Sequence, residues 1–233
     1  MESAVSKSAS DPSGTLKLVA VASFSLCGLT PLLQPLTRAS SEGEAVVTLL
    51  HRPVDLIEDG FDIGIVVPGQ VSSGTLIKRS LFKVRAIAVA SHGYIEAHGM
   101  PASPVELTAH TFLAPSANLH NAEWSFVAAH GREATGSLEP AYPVNNAVML
   151  RRATLASMVI TILPENHVAA DLLSGTLVQV LADYRIKGTG KEVSRVYPGR
   201  RHVSAKTRSF VDFTVDYFRS GTAPTLPSLF QNS

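Results

Sequence analysis

Thr15-Leu16-Lys17-Leu18-Val19-Ala20-Val21 is apolar at nearly every position. A strand with one wet face alternates apolar and polar side chains, because successive side chains point to opposite faces. This run does not alternate, so it has to be covered on both sides, as strands of a parallel sheet are. Two further strand-like runs follow, Ala45-Val46-Val47-Thr48-Leu49-Leu50 and Phe61-Asp62-Ile63-Gly64-Ile65-Val66-Val67. Between the first two, Thr30-Pro31-Leu32-Leu33 offers a side-chain cap and a proline in the first turn, which predicts a helix start. Between the second and third, residues 54–60 predict a short helix closed by Gly60. Strand and helix alternate from 15 to 67, and the expected product is an α/β lobe with a parallel sheet.

The same logic continues downstream. Residues 84–90 predict an apolar strand, and 93–98 a short helix ended by Gly99. Ser103-Pro104-Val105-Glu106-Leu107 predicts another short helix, with Ser103 as cap and Glu106 at the third position. Trp124-Ser125-Phe126-Val127 reads as a strand, and Asn145-Asn146 precede a helix over 147–157. Val159-Ile160-Thr161-Ile162-Leu163 is a strand stopped by Pro164, and 177–181 and 193–197 are later strands. A last helix over 204–218 places Phe210, Phe213 and Tyr217 on one stripe, flanked by Val211, Val215 and Phe218. The economical reading is two linked α/β lobes with a cleft between them.

Composition removes several function classes. The 233 residues are 45% hydrophobic and 17% charged, enough apolar matter for one large domain or two small lobes and too much for a disordered chain. Net charge is +1 and Lys and Arg are scattered, with short pairs at Arg151-Arg152 and Arg200-Arg201, so no phosphate-tracking patch is expected. Cys27 is the one cysteine, which excludes an intrachain disulfide, fits a reducing compartment, and reads as a packing residue rather than a nucleophile. The start, Met1 to Lys7, has no basic region followed by an apolar run, so no signal peptide is expected. No apolar stretch is long enough to span a membrane.

Catalytic signatures are missing too. No nucleophile elbow, P-loop or Rossmann glycine pattern occurs, and the eight histidines form no zinc motif. His92 and His98 read as helix-end histidines rather than a metal pair. What remains is a binding site at strand ends and helix starts, where ligands of open α/β sheets sit. Ser23 and Ser25 follow the first strand, where hydroxyls and backbone N–H groups suit a carboxylate or carbonyl oxygen; simple capping of the turn is the alternative. Asn145 and Asn146 stand at another helix start, one as its cap and the other open to the cleft. Arg52 either holds a ligand or pairs with Asp55 or Glu58. Arg151 and Arg152 read as helix-surface residues.

An ordered set of segments carries a resemblance. It runs from Pro12-Ser13-Gly14-Thr15-Leu16-Lys17-Leu18 through Val54-Asp55-Leu56-Ile57-Glu58-Asp59-Gly60-Phe61-Asp62-Ile63-Gly64-Ile65 to Ala90-Ser91-His92-Gly93-Tyr94-Ile95 and His98-Gly99-Met100-Pro101. Pro104-Val105-Glu106-Leu107, His110, Gly136, Asn145-Asn146, Leu163-Pro164, Asp171-Leu172 and Gly175-Thr176-Leu177-Val178 follow in order. Tyr197-Pro198-Gly199-Arg200-Arg201-His202-Val203-Ser204-Ala205-Lys206 and Phe210-Val211-Asp212-Phe213 close it. In this set the chain resembles the effector-binding domain of LysR-type transcriptional regulators, from Pro12 to about Phe218.

The resemblance implies an α/β fold of two Rossmann-like lobes joined by two crossing segments, like a type 2 periplasmic binding protein. Residues 1–13 would be a linker-helix remnant or tail, 14–220 the effector-binding domain, and 221–233 a C-terminal tail. Lobe I would take 14–91 and 197–220, and lobe II 92–196. The chain would leave lobe I near Ala90 to His92 and return near Val193 to Tyr197, with the final helix packed on lobe I. It implies a cytoplasmic regulator that binds a small organic effector in the cleft and forms homodimers through this domain, with a tetramer open to the full-length protein. DNA would be read only by a winged helix-turn-helix ahead of residue 1. No enzyme activity, cofactor, metal or membrane partner is expected. The expected ligand-binding set is Ser23, Phe24, Ser25, Arg52, Val67, Pro68, Asn145 and Asn146.

The chain departs from the family pattern at the expected cleft. Val66 and Pro68 stand where an Arg and a Gly are common, and Ser157-Met158-Val159 stands where Gly-Leu-Gly is usual. Glu42-Gly43 stands where the family's first helix usually gives way through a Pro. The lost arginine argues against a strongly acidic effector. A stand-alone solute-binding protein of the same fold is the alternative reading.

Overall fold

The computed structural model describes residues 15–21, 33, 45–50, 52–67, 69–71, 76–113, 123–142, 144–199 and 204–219. The expectations for the helix start at Thr30, for Cys27, for Arg200-Arg201 and for both tails lie outside the described residues. The described chain divides into two compact units, one up to Lys83 together with Glu192 onward, the other from Val84 to Lys191.

The first unit holds β1 (Leu16–Val21), β2 (Ala45–Leu50), β3 (Ile63–Val66), β4 (Leu76–Val84) and β12 (Lys191–Pro198), in the sheet order β2-β1-β3-β12-β4. β1 pairs parallel with β2, Leu16 opposite Ala45, and parallel with β3, Leu18 opposite Ile63. β12 closes on β3 antiparallel, Ser194 opposite Val66. The apolar reading of the first strand is met: Leu16, Leu18, Val19 and Ala20 are buried, and Lys17 is exposed. Leu56, Ile63 and Ile65 join them, each such side chain worth roughly 1.5–3 kcal/mol when buried.

Residues 54–60 correct the expected short helix. Asp59 N donates to Asp55 O, then Gly60 N donates to Ile57 O and Phe61 N to Leu56 O, so a single turn ends at once in a glycine C-cap with φ +72 at Gly60. The stop signal arrives before a second turn can form. β4 had no expectation, since Lys78, Arg79 and Ser80 interrupt its apolar pattern; all three are exposed.

The terminal helix, Ala205–Arg219, belongs to this unit. Lys206 donates to the carbonyl of Thr15 and pairs with Asp62 at 3.1 Å, while Asp62 also accepts from Lys17 N at 2.8 Å. Its buried face runs through Thr207, Phe210, Val211 and Thr214. The aromatic stripe expected through Phe213 and Tyr217 is only partly buried, rings 5.9 Å apart; Thr207 and Thr214 share the buried face with Phe210 instead.

The second unit contains β5 (Ala86–Ser91), α1 (His92–His98), a 3-10 turn (Glu106–Ala109), β6 (Phe112–Leu113), β7 (Glu123–Ala128) and β8 (Glu133–Ser137). It continues with α2 (Ala147–Leu155), β9 (Ile160–Pro164), α3 (Glu165–Leu173), β10 (Leu177–Val180) and β11 (Tyr184–Ile186); the terminal helix above is α4. One sheet has the order β10-β5-β9-β6, the other β11-β7-β8. β5 pairs antiparallel with both β10 and β9 while β6 pairs parallel with β9, so this sheet is mixed, and β5, which reaches Ser91, lies in the second unit. Period two explains its continuous apolarity. Ala88 and Ala90 face a core with Tyr94, Phe112, Trp124 and Phe126, while Ile87 and Val89 face another with Leu113, Leu150, Leu163 and Val168.

The helix over 165–173 had no expectation either. Pro164 reads as a strand stop, yet it is also a permitted position just before a helix, and α3 starts directly after it. The turn at 106–109 is 3-10 rather than α, and the expected Ser103 side-chain cap does not form: Ser103 Oγ donates instead to the Glu106 carboxylate, which also accepts from Ala102 N, both at 2.9 Å.

Candidate functional site

Because β2, β1 and β3 run parallel, their carboxyl ends line one edge of the first sheet. Val21, Leu50 and Val66 are the last residues of those strands. Arg52 follows β2 after one intervening residue, and Val67 comes directly after β3. Ser23, Phe24 and Ser25 follow β1 in the chain and, with Pro68, lie outside the described residues. Backbone bonds join the Arg52 and Val67 segments: Val54 N donates to Gln70 O at 3.0 Å, and Gln70 N donates to Val67 O at 3.2 Å. The intervening Gly69 has φ +85, a conformation that glycine adopts without penalty.

Arg52 corrects its expected partner. It reaches neither Asp55 nor Glu58 but Asp59, with Nη1 3.3 Å from Oδ2 and Nη2 3.4 Å from Oδ1, and Nη1 also donates to Pro53 O. Asp55 is engaged locally, accepting from Ile57 N and Glu58 N as the cap of the turn. The Arg52 side chain is 60% exposed, so this pair is worth less than about 1 kcal/mol and leaves the guanidinium available to an incoming group.

In the second unit Asn146 is the N-cap of α2. Its Oδ1 accepts from Val148 N at 2.9 Å and Met149 N at 3.1 Å. Two of the helix's free donors are thereby taken, which leaves the Asn146 amide NH2 and the exposed Asn145 side chain as the polar groups on offer. α2 is held from below: Arg151 clasps Asp171 of α3 through Nε at 2.6 Å and Nη2 at 2.5 Å. The surface role expected for Arg151 is thus half right, since its partner carboxylate is buried; Arg152 is exposed as expected.

The sequence reading missed a serine pair in this unit. Ser91 Oγ donates to Ser157 Oγ at 2.8 Å and accepts from Tyr94 N, tying the start of α1 to the turn after α2. Ser157 has φ +59, a conformation that favours glycine, and glycine is what the family pattern places there. That departure was the available signal.

His98 is exposed at the end of α1, its Nδ1 3.0 Å from Tyr94 O and its ring stacked on Tyr94 at 4.3 Å. His110 lies 5.8 Å from the same ring, tilted at 44°. Its Nδ1 is buried with no hydrogen-bond partner among the described residues, and burial, followed by the charge of His98, pushes its pKa down. Among the described residues no group of histidines and carboxylates could hold a metal ion, and no helix is long and apolar enough to cross a membrane.

Comparison with known proteins places this arrangement. The model of the LysR substrate binding domain matches residues 9–219. An HTH-type transcriptional regulator of Xanthomonas campestris pv. campestris is 31% identical over 219 residues, covering 92% of this chain and 62% of the relative. The chain thus spans about three-fifths of that relative's length. Among solved structures, full-length AphB, a virulence activator of Vibrio cholerae, superposes with a TM-score of 0.78 at 23% identity, over 88% of this chain and 69% of that one. The regulatory domain of CrgA, a LysR-type transcriptional regulator of Neisseria meningitidis, gives 0.76 at 25% identity, over 89% of this chain and all of that domain. The two units carry the periplasmic-binding-protein-like α/β fold of these regulatory domains. With nine-tenths of its length matched in order, the chain belongs to the LysR substrate binding domain family.

Proposed function

We propose that this chain is the ligand-sensing part of a cytoplasmic, DNA-binding transcriptional regulator of the LysR type, and that it is not an enzyme. It takes a small organic effector in the interlobe cleft that the family implies. Ser23, Phe24, Ser25, Arg52, Val67 and Pro68 serve from the first unit and Asn145 and Asn146 from the second. The observation that supports this most is the shared edge of β1, β2 and β3, after which six of these residues come in the chain. The donors and acceptors are mostly neutral and Phe24, Val67 and Pro68 are apolar, which suits a weakly charged organic molecule. The protein acts as a homodimer, and sequence-specific DNA contact belongs to a helix-turn-helix outside residues 1–233.

A thermal-shift screen of the purified chain against small organic metabolites tests the reading. A saturable rise in Tm with one chemical class supports it. No response to any class, or turnover of the responding compound, contradicts it.

A further inference from the structure

Arg195 stands on β12 with only 3% of its surface exposed. Its two hydrogen bonds among the described residues both leave from Nη1, to the Val211 carbonyl at 2.7 Å and to Thr214 Oγ1 on α4. Nε is buried and has no hydrogen-bond partner among the described residues. No carboxylate among the described residues lies within ion-pair distance of this guanidinium.

Two other arginines show what that edge of the group does here. Arg85 presents Nε and Nη2 to Glu165 at 2.6 and 2.9 Å. Arg151 presents the same two nitrogens to Asp171. Both are more exposed than Arg195, and so have less need of a counter-charge. A guanidinium taken out of water without an anion is unfavourable, and the Nε/Nη2 fork matches two coplanar oxygens. Burial is what most disfavours its charge; Tyr197 and then Asp212 favour the charged form, while Arg79 of β4, the neighbouring strand, adds like charge. The Tyr197 ring lies 5.7 Å from the Arg195 carbon and walls one side.

We propose that the Nε/Nη2 edge of Arg195 binds a small carboxylate or oxyanion, at a site in the first unit separate from the effector residues named above. The shared chemistry is a pair of coplanar, negatively charged oxygens. β4 and β12 are the strands by which the chain leaves and re-enters this unit, so an anion held at Arg195 would act on that strand pair.

The test is a titration of the ¹⁵N-labelled chain with sodium formate, and separately with sodium sulfate, against sodium chloride at equal ionic strength. The readout is the arginine Nε–Hε signals. Arg195→Gln identifies the signal by its loss, and Arg195→Lys keeps the charge but lacks the fork. The expected result is one such signal, absent from both variants, that shifts saturably with formate or sulfate and not with chloride. A response to formate alone marks a carboxylate site, and a response to both a general oxyanion site. If no arginine Nε–Hε signal of the wild-type chain moves saturably with either anion, the proposal is overturned, whether or not the variants fold.

Discussion

Arg151 and Asp171 lock α2 to α3: the guanidinium meets both carboxylate oxygens, and Asp171 is only 9% exposed where Arg151 is 35%. The asymmetry matters, because removing the arginine leaves a nearly buried carboxylate without its counter-charge. Arg151→Met is expected to destabilise the chain by about 2 kcal/mol, reduced from the fully buried case by the arginine's own exposure. The exposed pair Lys187–Glu133 is the control, and Lys187→Met is expected to cost under about 0.5 kcal/mol. Urea unfolding of the two variants measures the contrast.

Gly64 has no room for a side chain. A Cβ there would lie 2.8 Å from Val196 Cγ2 and 3.2 Å from Leu56 Cδ1, both in buried residues. Gly64→Ala is expected to cost about 1–3 kcal/mol by overpacking. Gly190→Ala, with nothing within 4 Å of its Cβ, is expected to stay within roughly 0.5 kcal/mol of wild type. Equal Tm values for the two variants would contradict the packing described.

His110 predicts a pH dependence. Burial and His98 hold its folded pKa below the ordinary 6.5, against a smaller pull upward from Glu106. Below 6.5 the unfolded chain therefore takes up this proton first, and stability falls with pH until His110 protonates in the folded state as well. Trp124, the one tryptophan, lies 6.1 Å from Phe112 in the same core and reports unfolding. The wild type is expected to lose more stability between pH 7.5 and 5.5 than His110→Gln does. Identical losses would place the titration elsewhere.

Much of this was legible in the sequence, for identifiable reasons. β1 and β5 are covered on both faces, so their apolar runs stand out without alternation. Asn145-Asn146 reads as holding a cap because a short amide reaches helix donors, and the structure gives that role to Asn146, which reaches two. Gly60 and Gly99 mark ends correctly, each with positive φ. β8 was not legible because Glu133-Ala134-Thr135-Gly136-Ser137 has no apolar period. Gly136 is there for contact, a Cβ on it falling 2.9 Å from the Pro104 carbonyl. Of the candidate site, Arg52, Val67, Asn145 and Asn146 could be followed into the structure. The Asp59 partner of Arg52 could not be read, because it depends on how tightly the 54–60 turn winds.

Self-association follows from the proposed role. A symmetric contact is the common solution for such modules, and a homodimer is expected in solution. Sedimentation at high micromolar concentration measures it, and a monomer there would count against the proposed pairing.

Effector binding itself is tested most directly by calorimetric titration of the compound found in the thermal-shift screen. Wild type, Ser25→Ala and Asn145→Ala are compared, with folding checked by circular dichroism. If each side chain makes one buried hydrogen bond to the effector, each variant binds more weakly by roughly 0.5–3 kcal/mol, at unchanged stoichiometry. Affinity equal to wild type in both folded variants would contradict the account and place the effector elsewhere.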